Sequence, residues 1–89
     1  MINFKQISSG DSSATVVEPA EVMRLSILHH AQSIIILHNH PSGNTRASHA
    51  DSQLKKRIQE AGTMLGVPLD DYIIIAGYHY VSMRSEGLV

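Results

Sequence analysis

Two short runs of β-branched residues do most to limit what this chain can fold into. Ser33–His38 contains Ile34-Ile35-Ile36-Leu37, and Tyr72–Ala76 contains Ile73-Ile74-Ile75. Continuous apolar runs this short predict strands buried on both faces. Neither approaches the roughly 18 residues of a membrane span. Between and around them the pattern changes to helical spacing. Pro19 suits the first turn of a helix, with Glu18 and Glu21 beside it. Ala20, Met23, Ile27 and Ala31 form the expected buried stripe, widened by Leu28. A second helix is expected after Ser48, with Leu54, Ile58, Ala61 and Leu65 as its stripe and Gly66 ending it. Ile2, Phe4 and Gln6–Ile7 alternate imperfectly, as a first strand would, and Ser8–Ser13 is polar and turn-rich. Gly77 allows a turn, and Tyr78–Met83 alternates as a last strand. The expected order is strand, helix, strand, helix, strand, strand, an α/β sandwich around a mixed sheet.

At 89 residues the chain fits one domain, 1–89, and excludes a (β/α)₈ barrel or a two-domain dinucleotide enzyme. Without cysteine there is no disulfide framework, thiolate zinc site or Cys nucleophile. A reducing cytosol is the simplest setting, so a cytoplasmic location is expected. A formal net charge of −1 argues against binding nucleic acid mainly through phosphate neutralisation. Lys55-Lys56-Arg57 is the one basic cluster and reads as a solvated helix face. The start of the chain has no signal-peptide pattern, and no membrane association is expected.

Chemistry concentrates where the first strong strand ends. His38 and His40 lie two residues apart, so on a strand they share a face. Asp51 follows in the first turn of the second helix, three and seven residues before Leu54 and Ile58, and so points inward. Two imidazoles and a carboxylate are a zinc-binding set that leaves one position open, the catalytic pattern rather than the structural one. Another reading of the same residues stands beside it. Asp51 also completes a capping arrangement Ser48-His49-Ala50-Asp51, and a chain with six histidines makes a His-x-His pair by chance. His29, His30 and His49 read as surface or packing residues. A His-x-His-x-Asp-His metallohydrolase would need Asp at position 42, where Ser42 stands.

His38-Asn39-His40-Pro41-Ser42-Gly43 followed by Ser48-x-x-Asp51 resembles the JAMM (MPN+) metalloprotease motif, and more particularly the bacterial RadC-like proteins. The resemblance spans nearly the whole chain. Gly10, Val17, Pro19 and Glu21 match before the central strand. Ala61-Gly62, Leu65-Gly66, Asp71, Ile73–Ile75, Tyr80, Ser82, Glu86 and Gly87 match after it. It implies a cytidine deaminase-like (JAB/MPN) α/β architecture, with His38, His40 and Asp51 as ligands to Zn²⁺. It also implies that Ser48 hydrogen-bonds the oxyanion of a tetrahedral intermediate. The activity implied is amide or isopeptide hydrolysis by metal-activated water, with a peptide or isopeptide substrate. Because the family was historically labelled as DNA repair proteins, the rival expectation is a non-catalytic DNA-repair or mobile-element accessory module. Ala20, Ala47, Lys55 and Tyr72 depart from the family pattern, which has Arg, Pro, Thr and His there. JAMM enzymes also use a Glu on an early strand as general acid/base. The match begins after that strand, so the chain is expected to be an N-terminally truncated member with weak or no activity. Glu18 and Glu21 match other family positions. A sheet lacking its first strand should present an unpaired edge, so a homodimer covering Ile2–Ile7 is expected.

Overall fold

A computed structural model describes residues 18–89. Their order is helix α1 (Pro19–Leu28), strand β1 (Ile34–Asn39), helix α2 (His49–Leu65), strand β2 (Leu69–Ala76) and strand β3 (His79–Ser82). The expected first strand at Ile2–Ile7 and the Ser8–Ser13 turn lie outside the described residues. The sheet order is β1-β2-β3, with β1 and β2 parallel and β2 and β3 antiparallel. That is the small α/β architecture with a mixed sheet expected of a JAB-like fold. The parallel pair needs a crossover, and α2 supplies it.

Each element follows from local chemistry. Pro19 opens α1 at a position whose N–H has no helical partner anyway. Ser48 caps α2: its hydroxyl accepts from the Asp51 N–H, while the Asp51 carboxylate accepts from the Ser48 N–H. Gly66 ends α2 in the left-handed conformation at φ 76°. Gly62 is required by a close approach, because a Cβ there would lie 2.2 Å from the Val67 carbonyl oxygen. In the parallel register His38 lies opposite Ile74 and Ile36 opposite Tyr72, and the register slips once, between Ile34 and Ile35.

The core lies between the two helices and one face of the sheet. Val22 and Met23 of α1 and Ile58 of α2 pack with Ile34, Val67 and Leu69. Tyr72, Ile74 and Met83 form a second cluster, which Ile36 and Leu54 join to the first.

Four expectations need correction. The buried face of α1 is Pro19, Val22, Met23 and Ser26, not the stripe through Ala20 and Ile27; Ala20, Ile27 and Leu28 are exposed. The helix is apolar over most of its circumference, so packing chose a neighbouring face. In α2, Leu65 is exposed and Gly62 takes the buried place near the helix end. And β1 is buried on one face only: Ile35 and Leu37 are 56% and 51% exposed, because the helices cover just the face that carries Ile34, Ile36 and His38. β3 is also shorter than expected, with Tyr78 in the turn before it.

Candidate metal centre

The site is assembled where β1 ends beside the start of α2. His38 is the fifth residue of β1 and faces the helices, as Ile34 and Ile36 do. His40 lies one residue past the strand, but its N–H donates to the Ile75 carbonyl at 2.7 Å, which continues the ladder by one bond. Both imidazoles are therefore carried by sheet geometry. Their rings meet edge to face, with centroids 4.8 Å apart. Beyond them the chain turns: Gly43 N–H donates to the His40 carbonyl, Gly43 takes φ 83°, and the Asn44 side chain accepts from Arg46 N–H. This loop delivers Ser48 and Asp51 over the end of β1.

Asp51 is at the centre and is 1% exposed. His38 Nδ1 lies 2.5 Å from its Oδ1 and His40 Nε2 2.9 Å from its Oδ2. One ligand atom from each of the three residues lies within 4.8 Å of the others, and among the described residues no other His, Asp or Glu joins them. The two sequence readings of Asp51 thus coexist. It is the capping-box residue of α2 and the carboxylate between the two histidines.

The remaining partners of the carboxylate are all donors. The Tyr72 hydroxyl donates to Oδ1 at 2.7 Å. The Ser48 N–H and hydroxyl donate to Oδ2 at 2.8 and 2.9 Å. Burial by itself would raise the Asp51 pKa. The Ser48 N–H, then the Tyr72 hydroxyl, His38 and the Ser48 hydroxyl outweigh it and hold the carboxyl at about 2. Burial and the adjacent carboxylate push the Tyr72 phenol up, so it remains a donor.

The donor set fits a divalent cation. His40 Nδ1 lies 2.8 Å from the Asn44 carbonyl oxygen, which can only accept, so Nδ1 carries the proton. A neutral His40 then presents the bare lone pair of Nε2 to an ionised carboxylate. Two acceptors do not attract, so positive charge has to stand on or between them, as a second proton or as a metal ion. A ligating histidine whose other ring nitrogen donates to a backbone carbonyl is the usual support of a metal site. Two nitrogens and one carboxylate oxygen suit zinc and its first-row neighbours.

The other singled-out residues are elsewhere. Ser48 sits at the cluster, its single hydroxyl proton directed to Asp51 Oδ2. Glu21 pairs with Arg24 on α1, and Glu18 is exposed at the helix start. His29, His30 and His49 are exposed. Lys55 of the basic cluster donates to the Leu88 carbonyl near the C-terminal end of the described residues. Among the described residues no helix is long and apolar enough to cross a membrane. Sequence reasoning gave Tyr72 no part in the site. It appeared only as a departure from the family pattern inside a strand, and a tyrosine there reads as core.

A family model described as the RadC-like JAB domain matches residues 1–88. A UPF0758 protein of Clostridium acetobutylicum is 40% identical over 89 residues, covering 100% of this chain and 39% of the relative. One from Streptococcus gordonii is 42% identical over 86 residues, 97% of this chain and 38% of the relative. One from Methanosarcina acetivorans is 39% identical over 83 residues, 93% of this chain and 36% of the relative. The chain thus spans about two fifths of the length of the curated relatives it matches.

Proposed function

The chain belongs to the RadC-like JAB domain family, and from that premise we propose that it is a zinc-dependent hydrolase domain of JAMM type acting on peptide or isopeptide bonds. The observation that carries this reading is the convergence of His38, His40 and Asp51 on one point at the end of β1. These three would hold the ion. When bound, zinc supplies Lewis acidity, which brings the pKa of a water to about 7 and polarises a carbonyl.

The chain's own residues do the rest. Asp51 remains ionised, because Ser48 and Tyr72 stabilise its charge. His40 is oriented by the Asn44 carbonyl, and His38 by the strand. The Ser48 hydroxyl already lies against Oδ2. Turning that one proton outward lets it donate to an oxyanion while the oxygen continues to accept the Asp51 N–H as a cap. No second carboxylate joins the cluster among the described residues. Losing a general acid/base typically costs about 10²–10⁴ in rate, so a site without one turns over slowly. The test is hydrolysis of peptide and isopeptide substrates by the zinc-loaded protein. Slow turnover abolished by His40→Ala is expected. Turnover that survives His40→Ala, or none above buffer with zinc bound, contradicts the reading.

A further inference from the structure

Five polar contacts surround the Asp51 carboxylate, and they differ in what anchors them. Ser48 N–H and Oγ belong to the same helix turn as Asp51 itself, so they move with it. His38 and His40 make the contact only while their ring nitrogens carry protons, and a nitrogen that ligates a cation has given its proton up. Tyr72 is the remaining donor. It comes from β2, 21 residues away in sequence, and it is 0% exposed. Its backbone is held on both sides: it pairs with Ile36 of β1, and its carbonyl accepts the Met83 N–H at 3.0 Å. It belongs to a buried cluster with Ile74 and Met83, against which Ile36, Ala47 and Leu54 pack. The hydroxyl is therefore a fixed point of the sheet, reaching across to the one ligand that the sheet does not carry.

We propose that Tyr72 is a positioning residue for the metal site: its hydroxyl locks the Asp51 carboxylate, and with it the start of α2, in register with His38 and His40, and so sets how tightly a divalent cation is held. This rests on the reading of His38, His40 and Asp51 as a metal site. With a cation present, Ser48 and Tyr72 alone keep the carboxylate oriented, and only Tyr72 refers that orientation to the strands. The hydroxyl occupies one lone pair of Oδ1 and leaves the other free. It also withdraws charge from the carboxylate, making it a weaker but better-aimed ligand.

Tyr72→Phe keeps the ring in the core and removes only the hydroxyl. The wild-type and variant proteins are titrated with Co²⁺ alone, followed by its visible absorption, and with Zn²⁺ alone against a chromophoric chelator. Outer-shell partners of this kind typically contribute about 10–100-fold in metal affinity. Zinc binding weakened at least about tenfold, with an altered cobalt spectrum and an unchanged far-UV circular dichroism of the metal-free protein, is the expected result. Affinity within about twofold of wild type and an identical cobalt spectrum would overturn the proposal. A wild-type protein that binds neither ion overturns the metal-site reading itself, and the role of Tyr72 with it. The same question can be put to the folded wild-type protein. Tyr72 is the buried one of three tyrosines and the chain has no tryptophan, so near-ultraviolet circular dichroism reports mainly on its ring. A tyrosine band that changes on adding Zn²⁺, and still does so after Tyr78→Phe and Tyr80→Phe, supports the lock. A band that does not respond to bound zinc contradicts it.

Discussion

The two faces of the sheet are made from the same side chains and meet opposite environments. On the helix-covered face, Ile34, Ile74 and Tyr72 are buried and His38 meets the Asp51 carboxylate. On the other face, Ile35, Leu37 and Tyr80 are 56%, 51% and 71% exposed. Ile74 and Ile73 are consecutive residues of one strand, yet only the first is fully buried. Apolar composition therefore does not distinguish the faces. What does is the crossover helix, which covers one face and carries Asp51 to it. The face that is sealed is the one on which a carboxylate can be buried, ionised and fully hydrogen-bonded. Among the described residues no buried side-chain nitrogen or oxygen lacks a partner.

The sharpest way to break this contrast is to remove the same kind of side chain from each face. Ile74→Ala should destabilise the protein by about 2–5 kcal/mol, as deletion of a buried Ile does where the core cannot collapse. Leu37→Ala, on the same sheet but half exposed, should cost about 1 kcal/mol or less. Urea denaturation of the two variants checks both values, and equal losses would mean that the outer face is as well packed as the inner one.

A smaller effect isolates the polar part of the buried face. The folded pKa of Asp51 is about 2, below its ordinary value of 3.8. A depressed carboxyl stabilises the fold above the unfolded pKa and loses that contribution as pH falls through the folded one. The metal-free protein should thus lose about 2 kcal/mol between roughly pH 4 and pH 2. Asp71, lowered by Ser82, Arg84 and Tyr72 against the effect of burial, adds a loss of the same sign. Asp51→Asn should flatten this part of the profile in acid titrations followed by circular dichroism.

The outer face gives the gentlest test. β1 pairs on one side only among the described residues, and beside that edge lie Ile35 and Leu37. An apolar face next to an open edge favours self-association. Sedimentation velocity at micromolar concentration should show a dimer, and Leu37→Lys should shift it toward monomer. A monomer at all concentrations would contradict this.

Much of the site was legible in the sequence because two periodicities place it. A period of two puts His38 and His40, the latter one residue past β1, on the same side of the chain, and a period of 3.6 turns Asp51 inward with Ile58. The Ser48–Asp51 cap was legible for the same local reason. Tyr72 was not. Its partner is 21 residues away, and the pairing depends on how far α2 sits along the sheet, which no local pattern encodes. The buried face of α1 was misplaced for a related reason. Val22, Met23, Leu25, Ile27 and Leu28 surround most of the helix, so periodicity offers several stripes and tertiary packing selects one. The one-sided burial of β1 was equally hidden, since a run of four apolar residues looks the same whether one face or both are covered.

The central claim is that the buried face is closed around a metal site rather than around a histidine-rich cap. Equilibrium dialysis against Zn²⁺ followed by elemental analysis tests it most directly, comparing the wild-type protein with His38→Ala, His40→Ala and Leu37→Ala. The account predicts about one zinc per chain for the wild type and for Leu37→Ala, and loss of zinc in both histidine variants. No zinc above buffer in the folded wild-type protein, or full retention after His40→Ala, would contradict it.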